Sequence, residues 1–183
     1  IYKEEIEKTL GHRNTRNENL LHVLIDKGFQ NAISCLFSFY DVASLCFQHN
    51  LAGDTPLMTM NPKELFSLEK ITIWNCMVKK GNMNDLLATI THTNEKGSNI
   101  LHLCAENTSR KENESSILLR EICTHANIPK TAIIKALNTD RKGKLPFYLC
   151  EHEDTCLALL DIMPLQLLQK QNIDGRKNNI MHI

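Results

Sequence analysis

Five segments of the chain share one pattern, in which a turn containing Asn, Asp or Gly leads into the start of an apolar helix. The segment Asn94-Glu-Lys-Gly-Ser-Asn-Ile-Leu-His102 is an example. The final positions of the five segments, His22, Met58, His102, Tyr148 and His182, lie 36, 44, 46 and 34 residues apart. Such self-similarity is typical of repeat proteins, in which each short unit buries its apolar face only against its neighbours. We therefore expect a stack of similar units.

The turns in these segments contain the residue types that a tight turn needs. Each opens with Asn or Asp, whose side chain bonds its own backbone. At the fourth position, Gly53, Gly97 and Gly143 supply the positive φ that the turn requires. The first and fifth segments hold Asn17 and Lys177 there, and Asn tolerates the left-handed conformation better than Lys does.

Each of the first four turns is expected to be followed by two helices. Thr55 and Asn99 are suited to cap a first helix, and Pro56 and Pro146 suit its first turn. A second helix is predicted where apolar residues recur at i, i+3 and i+4. These triplets are Ile33/Leu36/Phe37, Trp74/Met77/Val78, Leu119/Ile122/Cys123 and Cys156/Leu159/Leu160. The only tryptophan, Trp74, is thus expected in the core.

A turn and two helices repeated at about this spacing resemble the ankyrin repeat, whose period is about 33 residues. The resemblance covers nearly the whole chain, and ankyrin units usually carry histidine where His22, His102 and His182 stand. It implies an all-α ankyrin-repeat solenoid of paired antiparallel helices with projecting turns, made irregular by insertions. The expected organisation is a capping helix at 1–12 and a repeat domain at 13–183, with units at 14–49, 50–93, 94–139 and 140–173 and the start of a fifth at 174–183.

The third unit is lengthened in two places. Its polar segment 108–116 lacks periodicity and is expected to be an exposed loop between two helices. The segment 127–137 lengthens the connection to the fourth unit. This apolar run, Ile128-Pro-Lys-Thr-Ala-Ile-Ile-Lys-Ala-Leu137, followed by Gly143-Lys-Leu-Pro-Phe147, resembles the ankyrin domain of the I-kappa-B family and the NF-kappa-B precursors. This narrower likeness covers 97–183, with Phe147-Tyr148 in place of the usual Leu-His.

The I-kappa-B resemblance implies a regulator that holds a signalling or transcription factor in the cytoplasm or nucleus. By family, the partner is a Rel-type transcription factor or a member of an immune-signalling complex. A generic ankyrin adaptor and a structural spacer within a larger protein are the alternatives. Exposed apolar or aromatic residues on the binding side would favour a binding module, whereas a wholly polar side would favour a spacer.

Charge and composition argue against nucleic-acid and membrane partners. The chain has 21 Lys and Arg against 21 Asp and Glu, a formal net charge of zero, whereas a surface that follows phosphates normally has a basic excess. Apolar stretches such as 71–74 are far shorter than the ~20 residues of a membrane span. No secretion signal opens the sequence. Seven cysteines, an odd number, favour free thiols in a reducing compartment, the cytosol or nucleus.

Metal and catalytic sites are weighed against structural roles for the same residues. Cys123, His125, Cys150, His152 and Cys156 are possible zinc ligands, but they lack the closely spaced pairs of a zinc site, and buried thiols with solvent-facing histidines are expected instead. The three repeated histidines are expected to form hydrogen bonds within and between turns. No nucleophile–base motif or phosphate-binding loop is present. We expect no cofactor, no metal and no catalysis.

The candidate partner-binding residues lie in the turns. Arg141, Lys142 and Lys144 form a small basic patch in the fourth turn. Such a cluster is usually solvated surface, but ankyrin turns project from the binding side, where it would contact an acidic partner. Lys96 and Asp54, in the third and second turns, are further candidates.

Overall fold

The computed structural model describes residues 5, 8–59, 68–106, 112–139, 141–142, 144–150 and 153–163. These residues form α-helices and short 3-10 helices, and across these ranges the only β-type pairing is an isolated bridge between Arg141 and Lys144. None of the helices in these ranges is long and apolar enough to cross a membrane. The prediction of an all-α chain is confirmed. The chain divides into two compact units, Ile1–Thr89 and Ile90–Ile183.

The first unit is built around a long helix. Its helices are α1 (Leu20–Asp26), α2 (Gln30–Phe39), α3 (Leu68–Lys80) and α4 (Met83–Thr91, which ends just inside the second unit), with 3-10 helices at Ala43–Phe47 and Pro56–Met58. Helix α3 packs against α2 and against both 3-10 helices. Its buried face carries Ile73, Trp74 and Met77, each with no exposed surface. Trp74 therefore belongs to the core, as predicted.

The second unit has a similar order of elements, with an α-helix where the first unit has its first 3-10 helix. Its helices are α5 (Ile100–Ala105), α6 (Glu112–Thr124), α7 (Lys130–Leu137) and α8 (Glu153–Leu160), with a 3-10 helix at Pro146–Leu149. Helix α6 packs along α8, and α5 packs against both α6 and the 3-10 helix. Leu118, Leu119 and Ile122 supply the buried face of α6. The core of this unit thus lies between α5, α6 and α8.

The four second helices predicted from apolar triplets are confirmed. They correspond to α2, α3, α6 and α8, and the first residue of the triplet is buried in the first three of them. Leu160 differs from the other triplet leucines because it is the last residue of α8 and is 36% exposed. A 3.6-residue period identifies these helices because one face of each lies on a neighbour.

The prediction of an exposed loop at 108–116 is wrong in its second half. Helix α6 begins at Glu112, and Ser116 is buried with 7% exposure. Ser116 lies three residues before Leu119, so it falls on the buried face of the helix although it is polar. Residues 107–111 lie outside the described residues.

The short helices that follow the four turns are of two kinds. Leu20–Asp26 and Ile100–Ala105 are α-helices whose first backbone groups are capped by Asn19 and Asn99, which confirms the predicted cap at Asn99. Pro56–Met58 and Pro146–Leu149 are 3-10 helices with proline in the first turn, as predicted. The predicted cap at Thr55 is wrong: this residue precedes the helix, but its side chain makes no capping hydrogen bond. Proline sets the first φ, but without a side-chain cap the helix closes after one turn.

Some predictions fall on residues that the structure does not describe. The fifth repeat at 174–183, with Lys177 and His182, lies outside the described residues, and so does Gly143. Of the predicted capping helix at 1–12, residues 5 and 8–12 are described; residues 5 and 8–10 are helical, and Leu10 is buried.

Candidate protein-binding turns

Turns 1, 2 and 3 (residues 14–18, 50–54 and 94–98) have the same hydrogen bonds. In each, the Oδ1 atom of the leading Asn accepts bonds from the backbone N–H of the third residue, at 2.9–3.0 Å, and of the fifth, also at 2.9–3.0 Å. The N–H of that Asn donates to the carbonyl of the fifth residue. Three separate segments of the sequence therefore form the same type of turn.

The fourth position of these turns has the backbone conformation that the sequence predicts. The φ angle is 59° at Asn17, 75° at Gly53 and 77° at Gly97. Gly tolerates this left-handed region without a Cβ clash, and Asn is the next best residue there. The match confirms the predicted role of this position.

Turn 4 (residues 141–144) is tighter than the other three. Arg141 and Lys144 exchange two backbone hydrogen bonds, at 3.0 and 3.1 Å, and Lys142 between them has a φ of 53°. A two-residue connection between paired residues favours positive φ at its first central position. The chain thus presents Lys142 at the tip of the turn.

A buried Asn–His pair supports turns 1 and 2. The Asn19 side chain accepts a hydrogen bond from the His22 backbone N–H at 3.2 Å, and its Nδ2 donates to the carbonyl of Leu45 at 2.8 Å. The His22 ring uses Nε2 to reach the carbonyl of Asp54 at 2.9 Å. Asn19 and His22 are almost fully buried. The pair therefore joins the helix after turn 1 to turn 2.

The same arrangement supports turns 3 and 4. Asn99 accepts from the His102 backbone N–H at 3.1 Å and donates to the carbonyl of Ala136 at 2.7 Å. The Nε2 atom of His102 lies 3.3 Å from the carbonyl of Lys144. These contacts confirm the prediction that His22 and His102 form hydrogen bonds within and between turns.

Both buried imidazoles are held in the neutral form. In each pair Nδ1 lies 3.3 Å from the backbone nitrogen of the capping Asn and 2.7–2.8 Å from its Oδ1, and Nε2 faces a backbone carbonyl. Burial lowers the pKa of His22 and lowers that of His102 to about 4, and the carbonyl contacts oppose this only in part. A neutral ring suits a fixed structural bond, and neither ring is available to move a proton near pH 7.

The predicted binding residues of the second unit fall into two groups. Lys96, Lys142 and Lys144 are exposed. Arg141 is half-buried and forms an ion pair with Glu106. The contact between His102 and Lys144 links the helix after turn 3 to turn 4, so the three exposed lysines lie on two joined turns. Arg141 holds turn 4 on the end of α5 instead of facing solvent freely.

Asp54, the remaining predicted binding residue, lies in the first unit. It is half-buried, its backbone N–H donates to the Asn50 side chain, and its carbonyl accepts hydrogen bonds from Asn50 and His22.

Leu51, in turn 2, is a candidate binding residue that sequence reasoning missed. Its side chain is 63% exposed. Its N–H donates to the carbonyl of Arg16 at 3.0 Å, which joins turns 1 and 2. The sequence feature that could have indicated Leu51 is a large apolar residue inside the turn Asn50-Leu-Ala-Gly53.

The structure also places the candidate zinc ligands. Cys123, Cys150 and Cys156 are half-buried free thiols, and burial raises the pKa of each. Within the residues described, no group of three or more His, Cys, Asp or Glu side chains is arranged to hold a metal ion. His152 lies outside those residues. All seven cysteines are free, but Cys35 is exposed, and only Cys46 and Cys104 are fully buried.

Comparison with known proteins identifies no relative. The chain matches no protein-family model, no curated protein and no solved structure.

Proposed function

We propose that this chain is a non-catalytic, ankyrin-type protein-binding domain of a signalling regulator. Its turns hold an acidic surface of a partner protein. The observation that carries the proposal is the set of three exposed lysines, Lys96, Lys142 and Lys144, on two turns joined through the buried His102. The I-kappa-B resemblance of 97–183 supports a Rel-type factor, or another member of an immune-signalling complex, as the partner.

Rigid turns favour binding because little conformational entropy is lost when a partner docks. Turn 3 is closed by four hydrogen bonds that involve Asn94, and turn 4 by two backbone bonds. Asn99 binds the buried carbonyl of Ala136, and His102 contacts the carbonyl of Lys144 in turn 4. The lysine side chains therefore project from a backbone that is already ordered.

The charge of this surface favours an acidic partner. Glu106 offsets the charge of Arg141, whereas no described acidic side chain forms an ion pair with Lys96, Lys142 or Lys144. The three lysines carry the same charge and do not pair with one another. Their ammonium groups can therefore face a carboxylate-rich surface of a partner. Such complementarity mainly raises the association rate and gives specificity.

Charge reversal at the three lysines tests the proposal. The variant Lys96→Glu/Lys142→Glu/Lys144→Glu is expected to bind a purified Rel-type factor at least about tenfold more weakly than the unchanged chain, and mostly through slower association. Surface biosensor kinetics at two salt concentrations measure this effect. The affinity of the unchanged chain should fall as salt rises, and that of the variant should fall less.

A control variant separates local contact from net charge. Lys8, Lys130 and Lys135 are exposed lysines on helices, away from the turns. Reversing all three changes the net charge by the same amount as the turn variant. Because these lysines lie outside the turns, the affinity is expected to stay within about twofold of that of the unchanged chain. Equal losses in the two variants would rule out the turns as the binding surface. Absence of binding by the unchanged chain would reject the Rel-type partner but not the repeat fold.

Leu51 favours a binding module over a structural spacer. A spacer needs only polar turns, whereas Leu51 exposes an apolar side chain at the tip of turn 2. In a bound complex this side chain would supply apolar contact area within a polar rim. A generic adaptor with a different partner is the second candidate. For either binding role, free cysteines in the described structure support placement in the cytoplasm or nucleus.

A further inference from the structure

A cavity lies in the second unit where the end of α6, the start of α7 and the residues after α8 meet. Its lining residues come from 123–134 and from 161–162, and its volume is about 420 Å³. Cavities that bind small molecules commonly measure about 300–1,000 Å³. The cavity is therefore large enough for a small ligand, although it is at the lower end of that range.

The walls of the cavity are fixed by backbone hydrogen bonds. In the connection between α6 and α7, the Ile128 N–H donates to the His125 carbonyl at 3.0 Å. After α8, the N–H groups of Ile162 and Met163 donate to the Leu159 carbonyl at 3.1 and 2.9 Å. Because the walls are already ordered, a ligand that enters loses little free energy to ordering them.

The lining of the cavity is mainly apolar. Ile128 and Ile133 are buried, with 6% and 2% of their surface exposed. Ile134 and Ile162 add further apolar surface, and Ile134 is 38% exposed. Water in such a space finds few hydrogen-bond partners, so an apolar ligand that displaces it gains affinity.

The charged groups of the lining favour an anion. Asp161 is paired with Arg120, whose Nη1 lies 3.5 Å from the Asp161 Oδ2. Lys130 is exposed, and among the described residues none of the acidic side chains forms an ion pair with it. Burial raises the pKa of Cys123 to about 12, so this thiol adds no negative charge near pH 7, and a His125 ring is neutral or positive. The positive charge of Lys130 is therefore the one that a ligand can neutralise.

We propose that this cavity binds a small apolar carboxylate, of the class of a medium-chain fatty acid. The alkyl chain lies on Ile128 and Ile133 and covers the exposed surface of Ile134, and the carboxylate lies beside the Lys130 ammonium group. The apolar segment 127–137, which lengthens the third unit, supplies all four of these residues. The inference is independent of the proposed protein partner, because it concerns a cavity within the second unit and not the lysines of the turns.

Titration of the ¹⁵N-labelled full chain with octanoate tests the inference. Near pH 7, ¹H–¹⁵N correlation spectra should show saturable shifts that are largest for the amides of 123–134 and 161–162. Two ligands of the same chain length separate charge from apolar contact. Octanoate is expected to bind about two- to fivefold more tightly than 1-octanol, as an exposed ion pair allows, and octylammonium more weakly than 1-octanol.

Three variants assign the contacts. Lys130→Glu should reverse the preference, so that octanoate binds more weakly than 1-octanol. Lys135 is exposed on the same helix but does not line the cavity, and Lys135→Glu, which changes the net charge equally, should keep the preference of the unchanged chain. Ile134→Ala should weaken octanoate and 1-octanol by the same factor, about fivefold, because it removes apolar contact area for both.

Several results would overturn the inference. Octanoate could cause no saturable shift, or its largest shifts could lie outside the lining segments. Equal affinities of octanoate, 1-octanol and octylammonium, or equal effects of Lys130→Glu and Lys135→Glu, would rule out recognition of a carboxylate by Lys130. Shifts of the lining amides on addition of a Rel-type factor, without any on addition of octanoate, would assign the cavity to the protein partner instead. The test on the unchanged chain stands even if a variant fails to fold.

Discussion

Replacing Asn99 with alanine is expected to lower the free energy of unfolding of the second unit by about 2 kcal/mol. The loss of the helix cap accounts for roughly 1 kcal/mol. The rest arises because the carbonyl of the fully buried Ala136 loses the 2.7 Å bond from Asn99 and keeps the 3.3 Å bond from the Thr139 N–H, and one lost hydrogen bond costs about 1 kcal/mol. Chemical denaturation followed by circular dichroism measures the change.

Two further substitutions show which bond matters. Asn99→Ser keeps an oxygen for the His102 N–H but has no donor that reaches Ala136, so an intermediate loss is expected. The exposed Asn127 is the matched control, and Asn127→Ala should change stability by no more than about 0.5 kcal/mol. Equal effects at Asn99 and Asn127 would contradict a supporting role for the Asn–His pair.

The second large effect is expected in acid. The pKa of His102 is about 4 in the folded chain because the ring is buried, against 6.5 for an ordinary histidine. Below pH 6.5 the unfolded chain binds a proton that the folded chain does not. The stability associated with His102 is therefore complete above 6.5 and is lost as the pH falls toward 4, by about 2–3 kcal/mol at pH 4.5. His22 acts in the same direction, since burial lowers its pKa also.

Denaturation midpoints measured between about pH 7 and 4.5 test this prediction. His102→Gln removes the titrating group, so its stability should change less with pH than that of the unchanged chain, whatever its stability near pH 7. The exposed His12 supplies a control for the substitution itself, since His12→Gln replaces the same residue type outside the core. Parallel pH curves for the unchanged chain and His102→Gln would show that His102 does not cause the loss.

The local features of this chain were predictable because they depend on residues close in sequence. The leading Asn of each turn bonds N–H groups two and four residues ahead, and the capping Asn bonds the histidine three residues ahead. The second helices follow from apolar residues at helical spacing. For this reason turns 1–3, the roles of His22 and His102, and helices α2, α3, α6 and α8 agree with their predictions.

Burial and ion pairs with distant residues are harder to predict from the sequence. Arg141, Lys142 and Lys144 are all basic, but only Arg141 forms an ion pair with Glu106, 35 residues away. The polar segment around Ser116 predicts a loop, but in the structure a helix directs Ser116 toward the core. Residue type alone does not reveal such contacts.

The sequence by itself determined that this chain is helical and built from repeated turns, because the turn and helix bonds span only a few residues. The tertiary structure decided which candidate side chains are available. It leaves Lys96, Lys142 and Lys144 exposed and pairs Arg141 with Glu106. Whether a side chain can contact a partner depends on which segments pack against one another. The burial of apolar faces over the whole unit determines that packing.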